Sequence, residues 1–233
     1  MPLIRVERRQ DTAVVVFARP PVNAINLAFV EELHTLLDEL ATNIPAGGVV
    51  VTGEGPAFSG GVDFKEVPGY TTERKRQMIS HINHAITILY GLATATVAAV
   101  NGHAIGGAFV VTLACDTRIA AGTGAQLGLT EVTAGIPYPA CPMEVVKAEI
   151  EPAYRRHLVL TGQTIGPATA RARGLLDELV APRELLQRAV KLAQMRAAAA
   201  SYGPVKDQLK RDTLARMREI IDTSSDPMLK QWV

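Results

Sequence analysis

Ala98-Ala99-Val100-Asn101-Gly102-His103-Ala104-Ile105-Gly106-Gly107-Ala108 reads as the end of a buried strand, a turn, and a glycine pair that opens a short helix. Val97–Val100 is apolar and β-prone, Asn101-Gly102 stops it, and Ala108–Cys115 is almost wholly apolar at helical length. Backbone N–H groups at such a junction lack intrahelical partners and carry the positive end of the helix dipole, so they can hold an anion or a developing oxyanion. The pair can equally serve as a tight turn that needs positive φ.

A second loop of this kind, Phe58-Ser59-Gly60-Gly61-Val62-Asp63-Phe64-Lys65, lies upstream, also after a strand and before a helix. Two such loops after neighbouring strands favour the ligand-holding reading. Neither is a nucleotide fingerprint: there is no GxGxxG with an acid about 20 residues on, and no Gly-Lys-Ser/Thr. Around them the pattern alternates. Ile4–Arg9 and Ala13–Phe17 read as a hairpin, Leu27–Leu40 as a helix with Asn26 as N-cap, and Val49–Thr52 as a buried strand. Thr71–Leu92 is helical, with Met78, Ile82, Ala85, Ile86 and Leu89 on one face, and Thr117–Ala120 and Ala125–Leu127 are short strands around Gly122 and Gly124. Beyond Pro142 the helix candidates are Val145–Leu160, Pro167–Arg173, Arg183–Ala200 and Val205–Ile221. The expected organisation is an α/β core over 1–142 and a helical part over 143–233.

Composition sets the class. The 233 residues are 48% hydrophobic, 20% charged and only 5% aromatic, which excludes a disordered chain and makes a core of small aliphatic side chains. With 24 Lys and Arg against 23 Asp and Glu, a formal charge of +1, there is no general field to hold a nucleic acid or an acidic membrane. Cys115 and Cys141 fit neither a disulfide framework nor a zinc cluster, so no metal is expected. The charged N-terminus is unlike a signal peptide, no apolar run approaches a membrane span, and the expected compartment is the reducing cytoplasm.

Between Arg118 and Glu144 the sole acid is Glu131, in Leu127-Gly128-Leu129-Thr130-Glu131-Val132-Thr133-Ala134-Gly135-Ile136-Pro137. It reads either as a surface acid or helix-start residue, or as a general acid/base whose pKa an apolar pocket would raise.

Taken in order, the two glycine loops, Ala114-Cys115-Asp116-Thr117-Arg118-Ile119-Ala120, the Asn23-Ala24-Ile25-Asn26 turn, Thr161-Gly162, and Gly174-Leu175 with Asp177-Glu178-Leu179-Val180 resemble the crotonase (enoyl-CoA hydratase/isomerase) superfamily. The resemblance implies a ββα spiral core with a C-terminal helical trimerisation region, a homotrimer or hexamer, an acyl-CoA thioester substrate, and no cofactor beyond the coenzyme A of that substrate. It also implies an oxyanion hole from the amides of Val62 and Gly107. Gly60, Gly61, Lys65, Gly106, Val110 and Tyr138 are then expected substrate-binding residues, with Lys206 and Lys210 as a further basic contact to coenzyme A. Lys65 can equally be a solvated lysine.

Hydratases of this family resemble a two-glutamate machine. Here the later acid matches Glu131, but the earlier position falls on Val110, and the usual Gly-Ala-Gly-Gly-Thr-Gln is replaced by Ile136-Pro137-Tyr138-Pro139-Ala140-Cys141-Pro142. One glutamate with an apolar partner resembles the Δ3,Δ2-enoyl-CoA isomerases of fatty acid metabolism, so isomerase chemistry with Glu131 as base is the expectation. The alternatives are another acyl-CoA enzyme of the scaffold, such as a hydratase, hydrolase or dehalogenase, recruiting His81, His84, His103 or Glu144, and a catalytically silent CoA-binding member.

Overall fold

A computed structural model describes residues 2–122 and 124–232. The hairpin of β1 (Ile4–Arg9) and β2 (Thr12–Phe17) leads into α1 (Leu27–Thr42). Asn26 caps α1 by accepting a 2.9 Å hydrogen bond from the Phe29 N–H, and Leu27, Val30, Leu33, Leu37 and Leu40 bury one face at the three- and four-residue spacing of a helix. Next come β3 (Val49–Gly53), β4 (Ala57–Ser59) and α2 (Thr72–Gly91), then β5 (Thr96–Val100), β6 (His103–Ile105) and α3 (Gly107–Ala114). A further round gives β7 (Thr117–Ala121), β8 (Leu127–Gly128) and the single turn α4 (Glu131–Ala134).

The first round places both of its strands in one sheet, each of the next three contributes one strand to each of two sheets, and every round ends in a helix. The larger sheet has the order β1-β2-β3-β5-β7-β10 and the smaller β4-β6-β8-β9. From β2 onward the large sheet is parallel, and its inner strands such as β2 and β5 are buried on both faces, which is why they read as nearly continuous apolar runs without alternation. Phe17, Phe29 and Phe58 meet edge to face, with centroids 5.0 and 5.3 Å apart, and join the first two rounds. This is the expected ββα core.

The later chain holds α5 (Ala140–Glu149), α6 (Pro152–Thr161), β9 (Thr164–Ile165), α7 (Pro167–Ala172), β10 (Glu178–Val180), α8 (Leu185–Ala197), α9 (Tyr202–Asp222) and α10 (Met228–Gln231). The single helix expected over Val145–Leu160 is two, because Pro152 takes the first position of α6 and holds Glu151 in extended backbone. The expected strand Ala125–Leu127 lies at Leu127–Gly128. Beyond Pro142 the chain is not purely helical either: β10 pairs with β7 and completes the large sheet. Among the described residues no helix is long and apolar enough to cross a membrane.

Candidate active site

Val62 is held against α1 by a bridge to Ile25, in which Ile25 N–H donates to Gly61 O and Asp63 N–H donates to Ile25 O, both at 2.8 Å. Those bonds use the neighbours of Val62, so its own N–H points the other way and has no protein partner among the described residues. Asn23 sets the preceding loop: its amide nitrogen donates to the carbonyls of Glu54, Ala57 and Phe58, and Arg19 secures the following turn through a 2.7 Å ion pair with Asp63. Gly61 has φ +80°, and a β-carbon there would lie 2.6 Å from the Ile105 carbonyl oxygen. Only glycine lets the Val62 loop press onto the strand that leads to Gly106 and Gly107.

Gly107 begins α3, and its N–H has no partner among the described residues, as the first turn of a helix dictates. Val62 and Gly107 line one apolar cavity with Ile25, Phe29, Ile86 and Pro142. The space in it open to a water-sized sphere is about 50 Å³, and Val110, 1% exposed, forms part of the wall.

Glu131 arrives by register. β6 and β8 pair in parallel with Ile105 opposite Gly128, Gly106 N–H donates to Gly128 O at 2.7 Å, and three residues later the chain reaches Glu131. A β-carbon on Gly106, whose φ is +58°, would sit 3.1 Å from Glu131 Oε1, so the carboxyl group lies against the glycine pair. Glu131 is 7% exposed, and neither its Oε2 nor the buried Tyr138 hydroxyl has a hydrogen-bond partner within 3.5 Å among the described residues. Burial drives the Glu131 carboxyl up from 4.5 to about 6; the nearby phenol favours the carboxylate and offsets this only in part. Burial, together with the facing Glu131, also raises the Tyr138 phenol. The arrangement can take a proton from, and return one to, a substrate carbon beside two N–H donors.

Gly60 and Lys65 are exposed at the rim of the Val62 loop. Lys206 and Lys210 do not join them. Each is 6% exposed and donates to an Asp116 carboxylate oxygen at 2.8 Å, with Lys210 Nζ also 3.9 Å from the centre of the Tyr90 ring. They are a buried ion triad, so the expected coenzyme A contact is corrected; one-turn spacing on a helix gives the face of these lysines but not what packs on it. The histidines lie elsewhere too. His34, His81 and His84 cluster between α1 and α2, with His34 Nδ1 2.9 Å from His81 Nδ1, and His103 is exposed. Glu144 is engaged by Lys147 and Arg216, whose charges outweigh its burial and hold it below the usual carboxylate range. Among the described residues no group of three or more His, Cys, Asp or Glu side chains could hold a metal ion.

Residues 7–230 match the sequence profile described as enoyl-CoA hydratase/isomerase. The chain belongs to this family. Within it, the chain is 31% identical over 202 residues to a Mycobacterium tuberculosis protein named as a probable enoyl-CoA hydratase, EchA8, spanning 84% of this chain and 77% of that one. It is 29% identical over 222 residues to the short-chain-enoyl-CoA hydratase of Clostridium acetobutylicum, spanning 94% and 84%. The human mitochondrial Δ3,Δ2-enoyl-CoA isomerase superposes with a TM-score of 0.87 at 26% identity, covering 98% of this chain and 90% of that one. The crotonase-type fold and an enzyme of the enoyl-CoA hydratase/isomerase family are thereby established.

Proposed function

We propose that the chain moves the double bond of a 3-enoyl-CoA to the 2 position, with Glu131 as the single acid/base. The observation carrying this reading is that Glu131 is buried beside the glycine pair while Val110, at the position where the family resemblance puts a hydratase's second acid, is a buried apolar side chain. Glu131 takes a proton from C2, and the electron pair delocalises onto the thioester oxygen as a dienolate. The N–H groups of Val62 and Gly107 donate to that oxygen, and Glu131 returns the proton at C4. Losing one such donor typically costs about 2.7–4 kcal/mol of barrier. The apolar cavity takes the acyl chain and keeps water from the dienolate. Gly60, Gly61 and Lys65 receive the coenzyme A part, with the exposed Lys65 ammonium as the charge partner of its phosphates. The oligomer is a homotrimer or a hexamer in the cytoplasm. The isomerase named among the similar structures supports the reading.

A hydratase is the second reading. Its support is the unpartnered Tyr138 hydroxyl beside Glu131, where a water can be held, and the hydratases named among the relatives. Labelled water separates the two on two substrates: a hydratase adds heavy-oxygen water across a 2-enoyl-CoA and its product carries the label, whereas an isomerase converts a 3-enoyl-CoA to the conjugated 2-enoyl-CoA, followed by UV absorbance, with no label. Absence of turnover by wild type, or undiminished turnover in Glu131→Gln, would sink the isomerase assignment.

A further inference from the structure

Asp226, beyond α9, is 3% exposed. Its Oδ2 accepts hydrogen bonds from Asn83 Nδ2 at 2.7 Å and the Ala140 N–H at 2.8 Å, and its Oδ1 accepts from the Met228 N–H at 2.8 Å. Asn83 Oδ1 in turn accepts from the Cys141 N–H at 3.1 Å. These contacts solve a local problem. Helix α5 follows Pro139, which supplies no side-chain cap, so its first two N–H groups are satisfied by Asp226 and Asn83 from distant elements. A carboxylate at that place also meets the positive end of the α5 dipole.

The same contacts join both sides of the acyl cavity. On α2, Asn83 sits between Ile82 and the pair Ala85 and Ile86, all lining the cavity; on α5, Pro142 lines it next to Cys141. Tyr138, which faces Glu131, lies two residues before Ala140. The segment continues across α2, where Lys75 Nζ donates to the Trp232 carbonyl at 3.3 Å and lies 5.3 Å from the centre of its ring.

We propose that Asp226 is a positioning residue for acyl-chain selectivity: it ties the α2 wall of the cavity to the start of α5 and so limits the length of chain the cavity admits. The proposal rests on the acyl-CoA reading of the cavity but not on isomerase chemistry. Releasing the tie lets the two walls part and removes the penalty on long chains.

The test uses the full chain as wild type, Asp226→Asn and Asn83→Ala. Calorimetry measures affinity for butanoyl-CoA and dodecanoyl-CoA, and kinetics separate kcat from KM for 3-enoyl-CoA esters of both lengths. In both variants the affinity ratio shifts toward the longer ester by about tenfold, a change of the size that pocket fit controls, and the kinetic change falls on KM. A purely structural role would lower the active fraction equally for both esters; an unchanged ratio would overturn the proposal. If Asp226→Asn does not fold, the ratio in Asn83→Ala decides. If wild type binds both esters without turnover, the isomerase reading fails while the affinity ratio still decides; if wild type binds neither, both are overturned.

Discussion

At Glu131 the environment sets the chemistry. A carboxyl group raised from 4.5 to about 6 by burial makes the folded chain less stable by about 2 kcal/mol once the pH exceeds 6. The sign follows from the raised value: the folded state holds the proton more tightly than the unfolded chain, so this cost is absent below pH 4.5 and complete above about 6. Glu131→Gln is therefore expected to lower kcat by about 10²–10⁴-fold while raising the melting temperature at pH 8 by about 4–8 °C, measured by the enoyl-CoA assay and by calorimetry. As a base, the wild-type residue must be ionised, so kcat/KM should fall as pH drops through about 6, read from a pH-rate profile. The lone acid in an uncharged stretch was legible in the sequence. Its burial against Gly106 was not, since a glutamate next to a helix start is equally at home in water.

At the scale of elements, the glycine loops were legible because glycine pairs after strands have few structural uses. What they press against was not. Gly61→Ala would add a β-carbon 2.6 Å from the Ile105 carbonyl at φ +80°, forcing the Val62 N–H from its direction. Activity should fall by about 10²–10³-fold, the cost of a lost oxyanion donor, with far-UV dichroism still native. The strands of the small sheet, Ala57–Ser59, His103–Ile105 and Thr164–Ile165, escaped the sequence reading because two or three residues carry no periodicity. Long elements such as α1 and α2 were read nearly to their ends, α1 with its cap Asn26; that Thr71 caps α2 is shown by the structure.

Across the whole molecule, α9 is locked to the sheet by burying Lys206 and Lys210 on Asp116, and burial brings Lys206 down to about 8 against the attraction of that aspartate. Asp116→Asn would leave two buried ammonium groups without their counter-charge. Breaking such a pair costs about 3–5 kcal/mol, so a melting temperature lower by about 6–20 °C is expected in a thermal scan; an unchanged melt would mean the lysines find water. The sequence by itself determined the α/β class, the two glycine loops, the lone acid Glu131 and the apolar residue at position 110, Val110, because turns, caps and helix periods are set by neighbours in the chain. Only the tertiary structure decided that Gly106 and Glu131 touch, that Lys206 and Lys210 are neutralised inside rather than offered to a ligand, and that Asp226 caps a helix some 86 residues upstream. Those outcomes depend on sheet register and helix docking, where residues far apart in sequence compete for the same buried space, and burial then decides which charges stay free.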